Sequence, residues 1–146
     1  MPGILVGVDG SAHSERALDW AAKEAVLRHA PLRVLAVHTV PAGWTGRAQP
    51  YPEDAEILAS TKAAAQEVTD KVLAGIGGAR PDAVTVDAVS GIPADVLLQA
   101  SEDADMIVLG SRGGGGFARL HLGSVSDQVA HHAHCPVVII PHGDHR

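Results

Sequence analysis

The residues with the most evident chemical potential lie between positions 110 and 127. The chain reads Gly110-Ser111-Arg112-Gly113-Gly114-Gly115-Gly116, then Phe117 to Leu122, then Gly123-Ser124-Val125-Ser126-Asp127. A phosphate group needs several backbone N–H donors at close range, and glycine permits that approach because it has no Cβ. It also favours a helix N-terminus, where unpaired amides and the positive end of the dipole converge. Gly123-Ser124 stands where such a terminus is expected, with Ser124 as a capping residue and Asp127 three positions on, in the manner of a capping box. Arg112 and Arg119 add cationic groups that pair well with phosphate oxygens. By itself a run of four glycines reads as a surface loop. Set between a buried apolar strand and a capped helix, it reads as an anion cradle. No Gly-Lys-Ser/Thr follows the glycines, so the lysine of a P-loop is missing and binding is favoured over rapid hydrolysis.

The elements that must position this segment are legible as apolar runs and helical periodicities. Ile4–Val8 reads as a first strand ending in Asp9-Gly10-Ser11, a turn and helix-start signal. Leu18, Ala21, Ala22 and Ala25 follow at helical spacing, and Pro31 closes the helix. Leu32–Val40 reads as a second strand and Pro41–Pro52 as a loop carrying Trp44 and Tyr51. Glu53–Leu73 reads as a helix whose apolar face runs through Ile57, Ala64, Ala65, Val68 and Val72, with Thr61 as its one polar interruption. Val84–Val89 reads as a third strand, and Gly91-Ile92-Pro93 opens a short helix through about Ser101. Asp105–Leu109, Ser124–Ala133 and Pro136–Ile140 read as strand, helix and strand. Strict alternation of this kind predicts a parallel α/β sheet with helices on both faces, in one domain over residues 1–146. Its ligand crevice is expected at the carboxyl ends of the strands, where strand order reverses.

Bulk properties bound the possible functions. The chain has 146 residues, 46% hydrophobic, and a formal net charge of −6. That acidic balance disfavours nucleic acid and an anionic membrane surface as partners. No apolar run approaches the length that spans a bilayer, and no charged n-region precedes the first apolar stretch. The single cysteine, Cys135, fits a reducing cytoplasm and reads as a small buried residue, since no activating base is assignable to it. Six of the nine histidines fall at or after His121. His131 and His134 are three apart and would share a helical face in a metal site, but histidines in a last helical turn more simply complement the dipole.

Several motifs in order carry a family resemblance. The spacing Gly110-x2-Gly113-x9-Gly123-Ser124 resembles the nucleotide-binding motif of the universal stress protein family. So do Leu122-Gly123-Ser124-Val125-Ser126, the closing Cys135–Ile140 run, the opening Val6-Gly7-Val8-Asp9-Gly10-Ser11 and the turn Gly91-Ile92-Pro93. The resemblance implies a Rossmann-like five-stranded sheet of order 3-2-1-4-5, and a homodimer formed through the last strand, Val137–Ile140. It further implies ATP as ligand, with Mg or Mn accompanying the phosphates. Asp9 is then expected near adenine and ribose. His38 matches a histidine frequent in the family, which points to Thr39 for the adenine edge. Gly110, Arg112 and Gly113 are expected at ribose and phosphates, and Gly123, Ser124, Val125 and Ser126 along the phosphate chain. The function implied is a stress-response regulator whose dimer or partner contacts are tuned by nucleotide. The alternatives are a slow ATPase or nucleotide-transfer enzyme, and a ligand-free interaction module.

Overall fold

A computed structural model describes residues 2–39, 52–111 and 124–141. Five strands, β1 (Ile4–Val8), β2 (Leu32–Thr39), β3 (Val84–Gly91), β4 (Met106–Gly110) and β5 (Val137–Ile140), alternate with four helices. The helices are α1 (Ala12–Arg28), α2 (Pro52–Gly75), α3 (Pro93–Ser101) and α4 (Ser124–His132). All strand pairs are parallel, in the order β3-β2-β1-β4-β5. The expected sheet order is therefore the observed one.

The central strands β1 and β4 are continuous apolar runs because the sheet is covered there on both faces. Alternation along each strand sends successive residues to opposite sides. Ile4, Val6, Met106 and Val108 join a core beneath α1 and α2, whereas Leu5, Ile107 and Leu109 join a second core beneath α3 and α4. Leu18, Ala21, Ala22 and Ala25 of α1 are fully buried against the first of these. Small alanines let α1 lie close to the strands.

Local chemistry fixes the helix ends. Ser11 caps α1, its hydroxyl accepting from the Ser14 amide. At the far end His29 takes the left-handed conformation (φ 54°), and the Ala30 amide bonds back to the Ala25 carbonyl. Pro93 opens α3 at the position where a missing N–H costs nothing.

Three readings from sequence need correction. The inner face of α2 runs through Ala65, Val72, Leu73 and the fully buried Thr69, while Ile57 and Ala64 face solvent. Thr69 is tolerated there because its hydroxyl donates to the Ala65 carbonyl at 2.7 Å. Gly91 ends β3 rather than opening α3, since β3 continues two residues past Val89 to pair Ser90 with His38 and Gly91 with Thr39. Finally, α4 stops at His132, so His131 and His134 do not share a helical face. His131 Nδ1 lies 2.8 Å from the Asp127 carbonyl, and His134 Nε2 lies 3.8 Å from Glu102. Among the described residues no group of three or more His, Cys, Asp or Glu side chains is gathered as for a metal. The expected loop Pro41–Pro52 lies largely outside the described residues.

Leu18 is wholly enclosed and Leu27, on the same helix, is 74% exposed. Leu18→Ala is expected to lower the unfolding free energy by roughly 2 to 5 kcal/mol. Leu27→Ala is expected to change it by no more than about 0.5 kcal/mol, both read by urea denaturation.

Candidate functional site

Strands β1 and β4 are neighbours, in the register Ile4↔Met106, Leu5↔Ile107 and Val6↔Val108. The chain leaving β1 enters α1 on one face of the sheet, and the chain leaving β4 leads to α4 on the other. With α1 and α4 on opposite faces, a crevice lies between the strand ends among the described residues, the switch point of an open parallel sheet. A cavity of about 620 Å³ opens there. Asp9, Thr39, Gly110, Ser124, Val125 and Ser126 all line it. The remaining three sequence candidates, Arg112, Gly113 and Gly123, lie outside the described residues, as does Arg119.

Asp9 follows the last residue of β1 and is fixed by a small network. The Ser11 amide donates to Asp9 Oδ1 at 2.9 Å, and the Asp9 amide donates to Ser14 Oγ at 3.1 Å. The Ser14 hydroxyl in turn donates to the Ser11 carbonyl at 3.1 Å. Gly10 makes this turn possible, since its φ of +85° suits glycine. Partial burial by itself would raise the Asp9 pKa. Hydrogen bonds from the Ser11 hydroxyl and amide and from Ser14 outweigh it and hold the carboxyl below its ordinary value. Asp9 is therefore a carboxylate at neutral pH, a fixed acceptor at the mouth of the cleft.

On the opposite wall Gly110 ends β4 directly against the first turn of α1. A Cβ there would stand 2.8 Å from the His13 carbonyl oxygen, so any larger residue would drive the two elements apart. Ser124 opens α4 as its first helical residue, one step inside the capping position expected for it. Ser126, in the same turn, is buried at the edge of the cavity. Thr39 closes β2 at the third side, next to Gly91 of β3.

The sequence reading missed the inner walls. Leu35 and Val37 of β2, Leu97 of α3, Leu109 of β4 and the backbone at Gly7 make the interior of the cleft apolar. Counting back by two from Thr39 along β2 would have found Val37 and Leu35, which share its face. Leu97 carried no local signal, because its place depends on how α3 crosses the sheet. His13 and Ser14 also line the cleft and were missed as site residues. Ser11 lines it too, and its hydroxyl caps α1, as its position suggested. The cleft thus has an apolar interior and a rim of a carboxylate, hydroxyls and a helix N-terminus. This arrangement suits a ligand with a flat apolar part and polar or anionic appendages.

Cys135 lies elsewhere, two residues before β5, and is half-buried rather than buried as expected. Burial raises its pKa, partly offset by the Ile107 backbone and reinforced by the nearby Asp105 carboxylate. The thiol stays protonated at neutral pH, in keeping with a packing role.

Fold and crevice together define a doubly wound α/β protein with a cleft at its switch point. The chain belongs to the universal stress protein family, whose family model matches residues 2–141. A universal stress protein of Mycobacterium tuberculosis is 38% identical over 152 aligned positions, which take in 97% of this chain and 48% of that protein. The chain thus spans about half the length of the curated relatives it matches. Among solved structures, a universal stress protein in complex with cAMP superposes with a TM-score of 0.66 at 26% identity, over 96% of both chains. The universal stress protein from Archaeoglobus fulgidus in complex with dAMP gives 0.63 at 29% identity, over 96% of this chain and 98% of that one. No described helix is long and apolar enough to cross a membrane.

The depressed pKa of Asp9 sets a direction for its effect on stability. Its ionised form is favoured in the folded state, so the stabilisation is present above the unfolded value near 3.8 and is lost as pH falls through the folded value. Asp9→Asn is expected to be less stable than the parent at pH 6, with the gap closing below about pH 4. Denaturation midpoints of the two proteins across that range check the sign.

Proposed function

We propose that the cleft binds an adenine nucleotide, ATP first among them, and that the bound nucleotide tunes contacts of this domain with a second copy or with a partner in a stress response. One observation carries the reading: all six described residues expected to touch nucleotide line a single cavity. The family's solved members in complex with cAMP and dAMP support the same ligand class. In this reading the base enters between Leu35, Val37 and Leu97, and Thr39 offers its backbone to the adenine edge. The Asp9 carboxylate accepts from ribose hydroxyls. Gly110, Arg112, Gly113, Gly123, Ser124, Val125 and Ser126 grip the phosphates through amides, hydroxyls and one guanidinium. Mg or Mn would sit on the phosphates and neutralise part of their charge.

Residues 1–146 act as one nucleotide-binding domain, and the working compartment is the cytoplasm. Homodimerisation through Val137–Ile140 is part of the proposal. Among the described strands β5 is the edge strand beside β4, the kind of edge on which a second chain can pair. The site is proposed as a grip on nucleotide without efficient hydrolysis, because the sequence has no P-loop lysine after its glycines.

A ligand that binds only the folded state raises its stability, by about 2.7 kcal/mol at a hundredfold excess over Kd. Thermal melting with saturating ATP and Mg is therefore expected to shift upward, and Gly123→Val to abolish the shift. No shift for the parent protein would contradict the proposal.

A further inference from the structure

Gly7 lies in the middle of β1, flanked by strands on both sides, and its backbone forms part of the cleft's inner surface. A Cβ at this position would stand 3.0 Å from Leu109 Cδ2 and 3.1 and 3.3 Å from the two terminal methyls of Leu97. Both leucines are at most 5% exposed and themselves line the cavity. They therefore lean over the space that a side chain at position 7 would occupy. Behind them lie Leu5, Ile107 and Val129, all fully buried. A packed interior yields little, so a methyl group added at position 7 would displace Leu97 and Leu109 outward, into the cleft.

Given the nucleotide reading above, on which this step rests, we propose that Gly7 sets the depth of the base end of the cleft and thereby its preference for a purine over a pyrimidine. Phosphates are drawn to the polar rim and the N-terminus of α4, so the base points inward, toward Leu97 and Gly7. A purine extends further along this axis by one fused ring. Shortening the cleft then costs the purine contact that a pyrimidine never made. Gly7 acts here as a positioning residue, through the two leucines it leaves room for.

The test compares Kd values for ATP and CTP, which differ only in the base. The parent protein is expected to bind ATP more tightly. In Gly7→Ala the preference should fall by about tenfold, the usual scale for one methyl group in an apolar pocket. Leu97→Val in the same chain removes comparable volume, and the double variant should recover the parental ratio to within about twofold. An unchanged ratio in folded Gly7→Ala, or no recovery in the double variant, would overturn the proposal. Should Gly7→Ala not fold, Leu97→Val alone decides it. That variant deepens the same end and should favour 2-methyl-ATP, whose added group lies off the N6 edge assigned to Thr39, over ATP by about tenfold relative to the parent; no gain would overturn the proposal. Equal binding of ATP and CTP by the parent would overturn this inference alone. Failure to bind either one would overturn the nucleotide reading itself.

Discussion

The parallel pairing of β1 with β4 is the contact from which the site follows. Ile4, Leu5 and Val6 stand beside Met106, Ile107 and Val108, residues about a hundred positions away in the chain. Because the pairing is parallel, both strands end on the same edge of the sheet. Because α1 and α4 pack on opposite faces, a cleft remains between those ends among the described residues. Hydrophobic burial holds the pair in place, with both strands almost wholly removed from solvent. Asp9 and Gly110, the residues just past β1 and at the end of β4, are thereby brought to one opening without any attraction between them.

Around that opening the walls divide their work. Backbone geometry supplies the polar rim: the turn at Gly10, the first turn of α4, and the end of β2. Side-chain packing supplies the apolar interior, through Leu35, Leu97 and Leu109. The Ser11–Ser14 network links the two, since it caps α1 and at the same time holds the Asp9 carboxylate in its ionised state. Gly110 serves both ends as well, letting α1 approach β4 closely while leaving the cleft mouth open.

Much of this was legible from sequence because the buried central strands β1 and β4 are apolar runs closed by turn residues. The rim was legible for a different reason: glycines and a serine set between a buried strand and a helix start favour an anion, a reading that neither residue type carries alone. What was not legible depended on contacts between distant segments. In α2 the run Ala63–Ala65 offers no contrast between inner and outer faces, so the buried Thr69 was passed over in favour of the exposed Ala64. The polar end of β3 was cut short because Ser90 and Gly91 look like turn residues until β2 supplies their hydrogen-bonding partners. Leu97 resembles any core leucine. Only the crossing of α3 over Gly7 turns it into a wall of the cleft.

In the proposed complex one nucleotide occupies the switch-point cleft, with its base inside and its phosphates at the rim. Backbone amide chemical shifts followed by NMR during titration with ATP and Mg test it most directly. Saturable changes are expected at Asp9, Thr39, Gly110 and Ser124–Ser126, reaching inward to Val37 and Leu97, with β3's Val84–Val86 and the C-terminal half of α2 unaffected. Changes scattered over the surface, or confined to residues remote from the ends of β1 and β4, would contradict it.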